Sequence, residues 1–103
     1  MSLKHALNAY FDKYRLFKTL IDIGDDENQA RRELVEKIDS IVGMLPIAEQ
    51  NIIRERYLHP EADYRHDYEV YTSLDISRGL YVTRRDKAFT FIAVHLAIGG
   101  EAV

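Results

Sequence analysis

Apolar residues recur at every third or fourth position through most of this chain, and no segment alternates with a period of two for long enough to build a strand. That regularity restricts the fold to packed helices. Leu3, Leu7, Tyr10, Tyr14, Phe17 and Ile21 alternate spacings of four and three, so they share one face of a first helix. Gly24 stops it, because glycine enters the left-handed conformation without steric cost. Asp25 or Asp26 is placed to cap the next helix, with Glu27 near its positive end. Ala30, Leu34, Ile38, Ile41 and Leu45 form the stripe of that second helix. Pro46 suits the first turn of a third helix over residues 47–57, with Ile52, Ile53 and Tyr57 inward. Residues 59–66 are polar, contain Pro60 and lack periodicity, which reads as a loop. Asp67 is the expected cap of a short fourth helix whose inward residues are Val70, Tyr71 and Leu74. Asp75, Ile76 and Ser77 make a tight turn, and Ser77 caps a fifth helix from Arg78 to Leu96. Tyr81, Ala88, Ile92 and Leu96 form its inner stripe. The expectation is an all-α fold: an N-terminal helical pair (1–45) packed on a helix-turn-helix region (46–103), together one compact domain.

Composition narrows the function. A length of 103 residues suits one modest core, and 47% hydrophobic with 30% charged residues argues against disorder. The chain has no cysteine, which removes disulfides, thiol nucleophiles and cysteine-bound zinc. No run approaches the roughly 18 apolar residues of a membrane span, and the N-terminus lacks the apolar region of a signal peptide. A cytoplasmic setting is expected. No Ser/His/Asp order, glycine-rich phosphate loop or close carboxylate pair in an apolar setting is present, so neither an enzyme nor a cofactor is expected. His59, Asp63, His66 and Asp67 lie close enough in sequence for a nitrogen–oxygen metal site. A polar loop with two histidines is the simpler reading, and no metal is expected; His5 and His95 are isolated. The tyrosines could stack on single-stranded bases, but most fall on inward stripes, where core and interface roles are expected.

The sharpest pattern is the cation-bearing fifth helix behind a short helix and a tight turn, which is how a helix-turn-helix offers side chains to a DNA major groove. Leu74, Ile76 and Tyr81, with Val70 and Ala88, are spaced to staple its helices, and small Ala88 lets helix five approach helix three. Arg78, Gly79, Val82, Thr83 and Lys87 project from its first turns, with Arg84 and Arg85 at the flanks. Arginine grips guanine bidentately, threonine and valine touch a thymine methyl, and lysine prefers phosphate. Arg78, Val82 and Thr83 are therefore the expected base readers, and Arg84, Arg85 and Lys87 the expected phosphate anchors. The net charge of −3 opposes binding to a polyanion. Its distribution answers this in part: Asp22, Asp25, Asp26, Glu27 and Glu33 cluster early, whereas residues 77–87 carry four cations against Asp86 alone. A solvated basic face on an ordinary helical bundle presents the same residues, and the pattern by itself leaves both readings open.

The residues also resemble a known family. Leu45, Glu49, Arg54 with Arg56, Leu74, Ser77 with Arg78, and Lys87 with Ala88 are similar to region 4 of sigma factors. Over nearly its whole length the chain resembles the ArpU-type phage transcriptional regulators. The resemblance rests on Ala6 and Leu7 with Tyr10 and Tyr14, Ile38 and Asp39, Leu45, and Ile52 and Ile53 followed by Arg56, Tyr57 and Leu58. It continues through Asp67, Val70, Tyr71, Leu74, Ile76, Ser77, Tyr81, Arg85, Lys87, Ala88, Phe89, Ala93 and Leu96. It implies a duplex-DNA-binding regulator of late or lytic phage or prophage genes, and leaves RNA polymerase open as a partner. Gly79 departs from the acidic or arginine residue that follows Arg78 in sigma-like helices. Two other classes compete: a small-terminase-like DNA-packaging component, and a protein-binding helical module. Finally, the aromatic stripe of helix one and the apolar end of helix five (Phe89, Phe91, Ile92, Val94, Leu96 and Ile98) suggest a homodimer. The alternative is that helix one covers Phe91 and Val94 within the same chain.

Overall fold

The computed structural model describes residues 2–24 and 28–97. They form α1 (Leu3–Asp22), α2 (Gln29–Gly43), α3 (Ile47–Ile53), α4 (Asp67–Ser73) and α5 (Arg78–His95), with no strand among the described residues. α3 continues into a wider π-helical turn, Arg54–Leu58, and a single 3-10 turn, Ala62–Tyr64, precedes α4.

Local chemistry sets the boundaries. The Ser2 hydroxyl accepts from the His5 N–H at 3.1 Å, and Gly24, at φ +75°, ends α1. Asn28 caps α2 by accepting from the Arg31 N–H at 3.2 Å. The caps expected at Asp25 or Asp26, and Glu27 beside them, lie outside the described residues; the short acceptor directly before the first helical residue takes the role. Pro46 sits one position before α3 rather than within its first turn.

The apolar faces differ from the sequence stripes at two places. Phe11 is buried on α1 between Leu7 and Tyr14. Its ring lies 5.2 Å from Tyr57 and 6.2 Å from Phe89, and Tyr57 and Phe89 are 5.2 Å apart. This aromatic cluster is where α1, the π-helical turn and α5 meet. On α2 the buried set is Val35, Ile38, Ile41 and Val42, with Leu34 half-buried and Ala30 exposed. Both edges of that helix are apolar, and its rotation is decided by what packs on it.

One core joins Leu7, Phe11 and Tyr14 of α1, Ile38 and Val42 of α2, Ile53 and Tyr57, and Ala88, Phe89 and Ile92 of α5. The helical pair α1–α2 and the helices after it therefore share one interior, and each large side chain buried there stabilises the fold by about 1.5–3 kcal/mol. A smaller cluster of Ile52, Val70 and Tyr81, flanked by Tyr71, Leu74, Ile76 and Val82, staples α3, α4 and α5 together. The π-helical turn serves the main core, because its i,i+5 spacing aligns Ile53 with Leu58, and both are buried. Phe91 is half-buried against the main core and stacks on His95 with ring centroids 4.1 Å apart. Val94 stays 70% exposed, and Ile98 lies outside the described residues. Of the apolar residues behind the homodimer expectation, Phe89, Ile92 and Leu96 are thus buried within the chain, Phe91 is half-buried and Val94 is left exposed.

Candidate nucleic-acid interface

The turn that aims α5 is fixed by backbone hydrogen bonds. Ile76 N–H donates to Tyr71 C=O at 3.0 Å and Asp75 N–H to Thr72 C=O at 3.1 Å, the paired bonds of a Schellman motif. Ile76 and Tyr71 both pack against the small cluster. The motif requires a left-handed residue, and Asp75 provides it at φ +57°. Ser77 then caps α5, its Oγ accepting from the Leu80 N–H at 3.1 Å.

Behind this turn lies a polar bracket. Asp67 does not cap α4; His66 holds that position and makes no side-chain cap bond. The Asp67 carboxylate turns inward instead, where Oδ1 accepts from Tyr81 Oη at 2.7 Å and from Arg56 Nε at 2.9 Å. Its Oδ2 lies 4.0 Å from Arg85 Nη1. Burial pushes the Asp67 carboxyl up, but the hydrogen bonds from Tyr81 and Arg56 and the charges of Arg56 and Arg85 outweigh it and hold the group below the ordinary carboxylate value. Burial, then the bond to Asp67, push the Tyr81 phenol far up, so it remains a donor. Tyr57 Oη, raised first by burial and then by the Asp67 charge, is buried beside this group with no hydrogen-bond partner among the described residues.

Most arginines in and around this region are engaged internally. Arg15 donates to Tyr57 C=O and pairs with Asp12 and Asp63, closing the end of the π-helical turn onto α1. Arg54 lies 3.6 Å from Asp39, which also accepts from Tyr14 Oη at 2.7 Å. Arg56 reaches Ala62 C=O at 3.2 Å, and Arg65 holds both the carbonyl and the carboxylate of Glu55 at 3.0 Å. These bonds make the 59–66 loop a braced segment. They also divert the residues considered for a metal: Asp63 goes to Arg15, Asp67 to Arg56 and Tyr81, and His59 Nδ1 accepts from the Glu61 N–H. Among the described residues no three His, Asp or Glu side chains are placed to hold a metal ion.

The seven proposed contact residues divide into three groups. Arg78, Gly79, Thr83 and Lys87 are exposed on α5, and a side chain at position 79 would meet open space. Arg84 is half-buried at the edge, beside a shallow groove lined by Ala48, Asn51, Leu74 and Ile76. Val82 and Arg85 are turned inward. Val82 packs on the small cluster. The Arg85 side chain is only 15% exposed, and its guanidinium lies over the rings of Tyr81 (5.9 Å) and Phe89 (5.7 Å). It donates to Asp86 Oδ1 through Nε at 3.2 Å and Nη2 at 3.1 Å. Asp67, Arg56 and Asp86 are absent from the sequence-derived site. The first two are joined across the fold and leave no local signal, whereas Asp86 follows from helical spacing, seven residues after Gly79. The tyrosines divide as well: Tyr14, Tyr57 and Tyr81 are buried, but Tyr64 and Tyr68 are 84% and 59% exposed.

No helix among the described residues is long and apolar enough to cross a membrane. Comparison with protein-family models, with curated proteins and with solved structures finds no match for this chain.

Proposed function

We propose that this protein is an ArpU-type transcriptional regulator of phage or prophage late or lytic genes, acting in the cytoplasm and binding duplex DNA through α5. In this reading α3, α4 and α5 form a sigma-region-4-like helix-turn-helix. The observation that carries it is the clustering of unpaired cations on α5: Arg15, Arg54, Arg56, Arg65 and Arg85 are paired with carboxylates, whereas Arg78, Arg84 and Lys87 lie within ten residues of one helix with no ion-pair partner among the described residues; Lys4, Lys13 and Lys37, also without one, are spread over α1 and α2. Arg78 and Thr83 read base edges, and Arg84 and Lys87 anchor phosphates. Val82 and Arg85, first expected in those two roles, instead position the helix from behind. The Schellman turn, the Ser77 cap and the Asp67 bracket hold α5 at a set angle, which preorganises the reading residues.

The protein acts as a homodimer in this reading, so that two recognition helices meet half-sites about one helical turn apart. Leu16 (57% exposed) on α1 and Ile23 (66%) just after it are, with Val94, apolar surface available to a partner copy. The test is titration of labelled duplexes over a range of salt, followed by selection from a random pool. The two phosphate anchors, Arg84 and Lys87, predict a log–log salt slope of about −1.8 per recognition helix. Absence of salt-dependent binding on any duplex would overturn the proposal. In that event the protein-binding alternative gains, because Tyr64 and Tyr68 stand exposed among the exposed acids Glu61, Asp63 and Glu69.

A further inference from the structure

We propose that Asp86 acts as a brake on DNA binding, withholding Arg85 from the DNA backbone and opposing phosphate on the outer face of α5; this rests on the DNA-binding reading above. Gly79, Thr83, Asp86 and Thr90 follow the i, i+4, i+7, i+11 spacing of one helix face, and all four are exposed, with exposed Lys87 beside them. Asp86, whose side chain is 59% exposed, thus stands on the face that would meet DNA.

An adjacent Arg–Asp pair on an open surface is ordinarily weak. This one is held. Tyr81 and Phe89 lie against the Arg85 guanidinium, Asp67 lies 4.0 Å behind it, and two of its N–H groups go to one Asp86 oxygen. A guanidinium has five donors and binds phosphate through the same fork it here gives to a carboxylate. Of the four cations in residues 77–87, the only acid in that stretch engages one and adds a negative charge to the contact face.

The effect falls on both modes of DNA binding. Contact with random sequence depends almost wholly on phosphate neutralisation, whereas specific binding adds hydrogen bonds and apolar contacts to base edges. A fixed carboxylate within a Debye length of the contacted phosphates opposes both modes alike. The acid therefore lowers the affinity for random and for specific sequence together.

The experiment compares the full-length wild type with Asp86→Asn, which keeps the side-chain size and removes the charge. Fluorescence anisotropy is read on a random-sequence duplex and on a selected duplex over a range of salt. The expected result is a gain of about five- to tenfold on both duplexes and a salt slope steeper by about one. In the double variant Asp86→Asn with Arg85→Gln the added slope disappears, which a merely structural role for Asp86 would not produce. Thermal melting establishes that each variant is folded. Unchanged affinity and slope in Asp86→Asn would overturn the brake. So would a loss confined to the selected duplex, which would make Asp86 a direct base reader. Wild-type protein that binds no duplex at all would overturn the DNA-binding reading itself, a distinguishable result.

Discussion

Replacing Asp67 with alanine tests the bracket that aims α5. The substitution removes the acceptor of Tyr81 Oη (2.7 Å) and of Arg56 Nε (2.9 Å), and the nearest carboxylate behind Arg85 (4.0 Å). A hydrogen bond to a charged group contributes about 1.5–3 kcal/mol, and a buried donor left without a partner costs about 1–3 kcal/mol. Breaking a fully buried ion pair costs about 3–5 kcal/mol. The Asp67 side chain is 40% exposed, so water replaces part of what is lost. The expected net loss is about 2–3 kcal/mol. With a urea m-value of about 1.5 kcal/mol/M for a domain of this size, the denaturation midpoint falls by about 1.3–2 M. Tyr81→Phe alone should cost about 1 kcal/mol, and a double-mutant cycle should return coupling of about 1 kcal/mol, because the two changes remove one shared bond. A midpoint for Asp67→Ala equal to wild type, or strictly additive effects, would refute the bracket. The pH dependence has a defined sign. The folded Asp67 value lies below the unfolded one, so its contribution is present above the unfolded value and is lost as pH falls through the folded value. Wild type should lose stability below about pH 4 more steeply than Asp67→Asn does.

Asp75→Gly should stabilise the protein by about 0.5–1 kcal/mol, since the turn holds Asp75 at φ +57° and glycine adopts that region without a Cβ penalty; thermal melting measures it, and a lower Tm would place the strain elsewhere. Ser77→Ala should destabilise by about 0.5–2 kcal/mol through loss of the bond to the Leu80 N–H, and an unchanged denaturation midpoint would show that the cap contributes nothing. Arg78→Ala should weaken binding to a selected duplex by about 1–3 kcal/mol and relax preference at one base position, whereas equal losses on random DNA would make Arg78 a phosphate anchor only. Lys87→Ala should lower affinity alike on all duplexes and make the salt slope shallower by about one; an unchanged slope would remove Lys87 from the contact.

The sequence alone determined the elements that depend on near neighbours. Helical spacing, the Gly24 stop, the Ser77 cap and the turn at 75–77 each involve residues within about one turn of one another, and their physics is complete in a short window. The inner stripe of α5 was legible for the same reason, with Tyr81, Ala88, Ile92 and Leu96 all buried. Only the tertiary structure decided what joins distant positions. Arg15 meets the carbonyl of Tyr57 across 42 residues, and Asp67 meets Tyr81 across 14. An aspartate before a short helix reads as a cap until another element offers it a better-placed donor, and Tyr81 and Arg56 do so here. Arg85 followed the same course: by spacing it flanked the contact face, but two aromatic rings and the Asp67 carboxylate lie behind it and hold it inward. The rotation of α2 was decided in the same way, because both edges of that helix are apolar and α1 and α5 determine which is covered. A side chain's type and spacing list the bonds it is able to make. Which of them forms depends on the partners the folded chain brings within reach, because a buried polar or charged group must be satisfied where it lies.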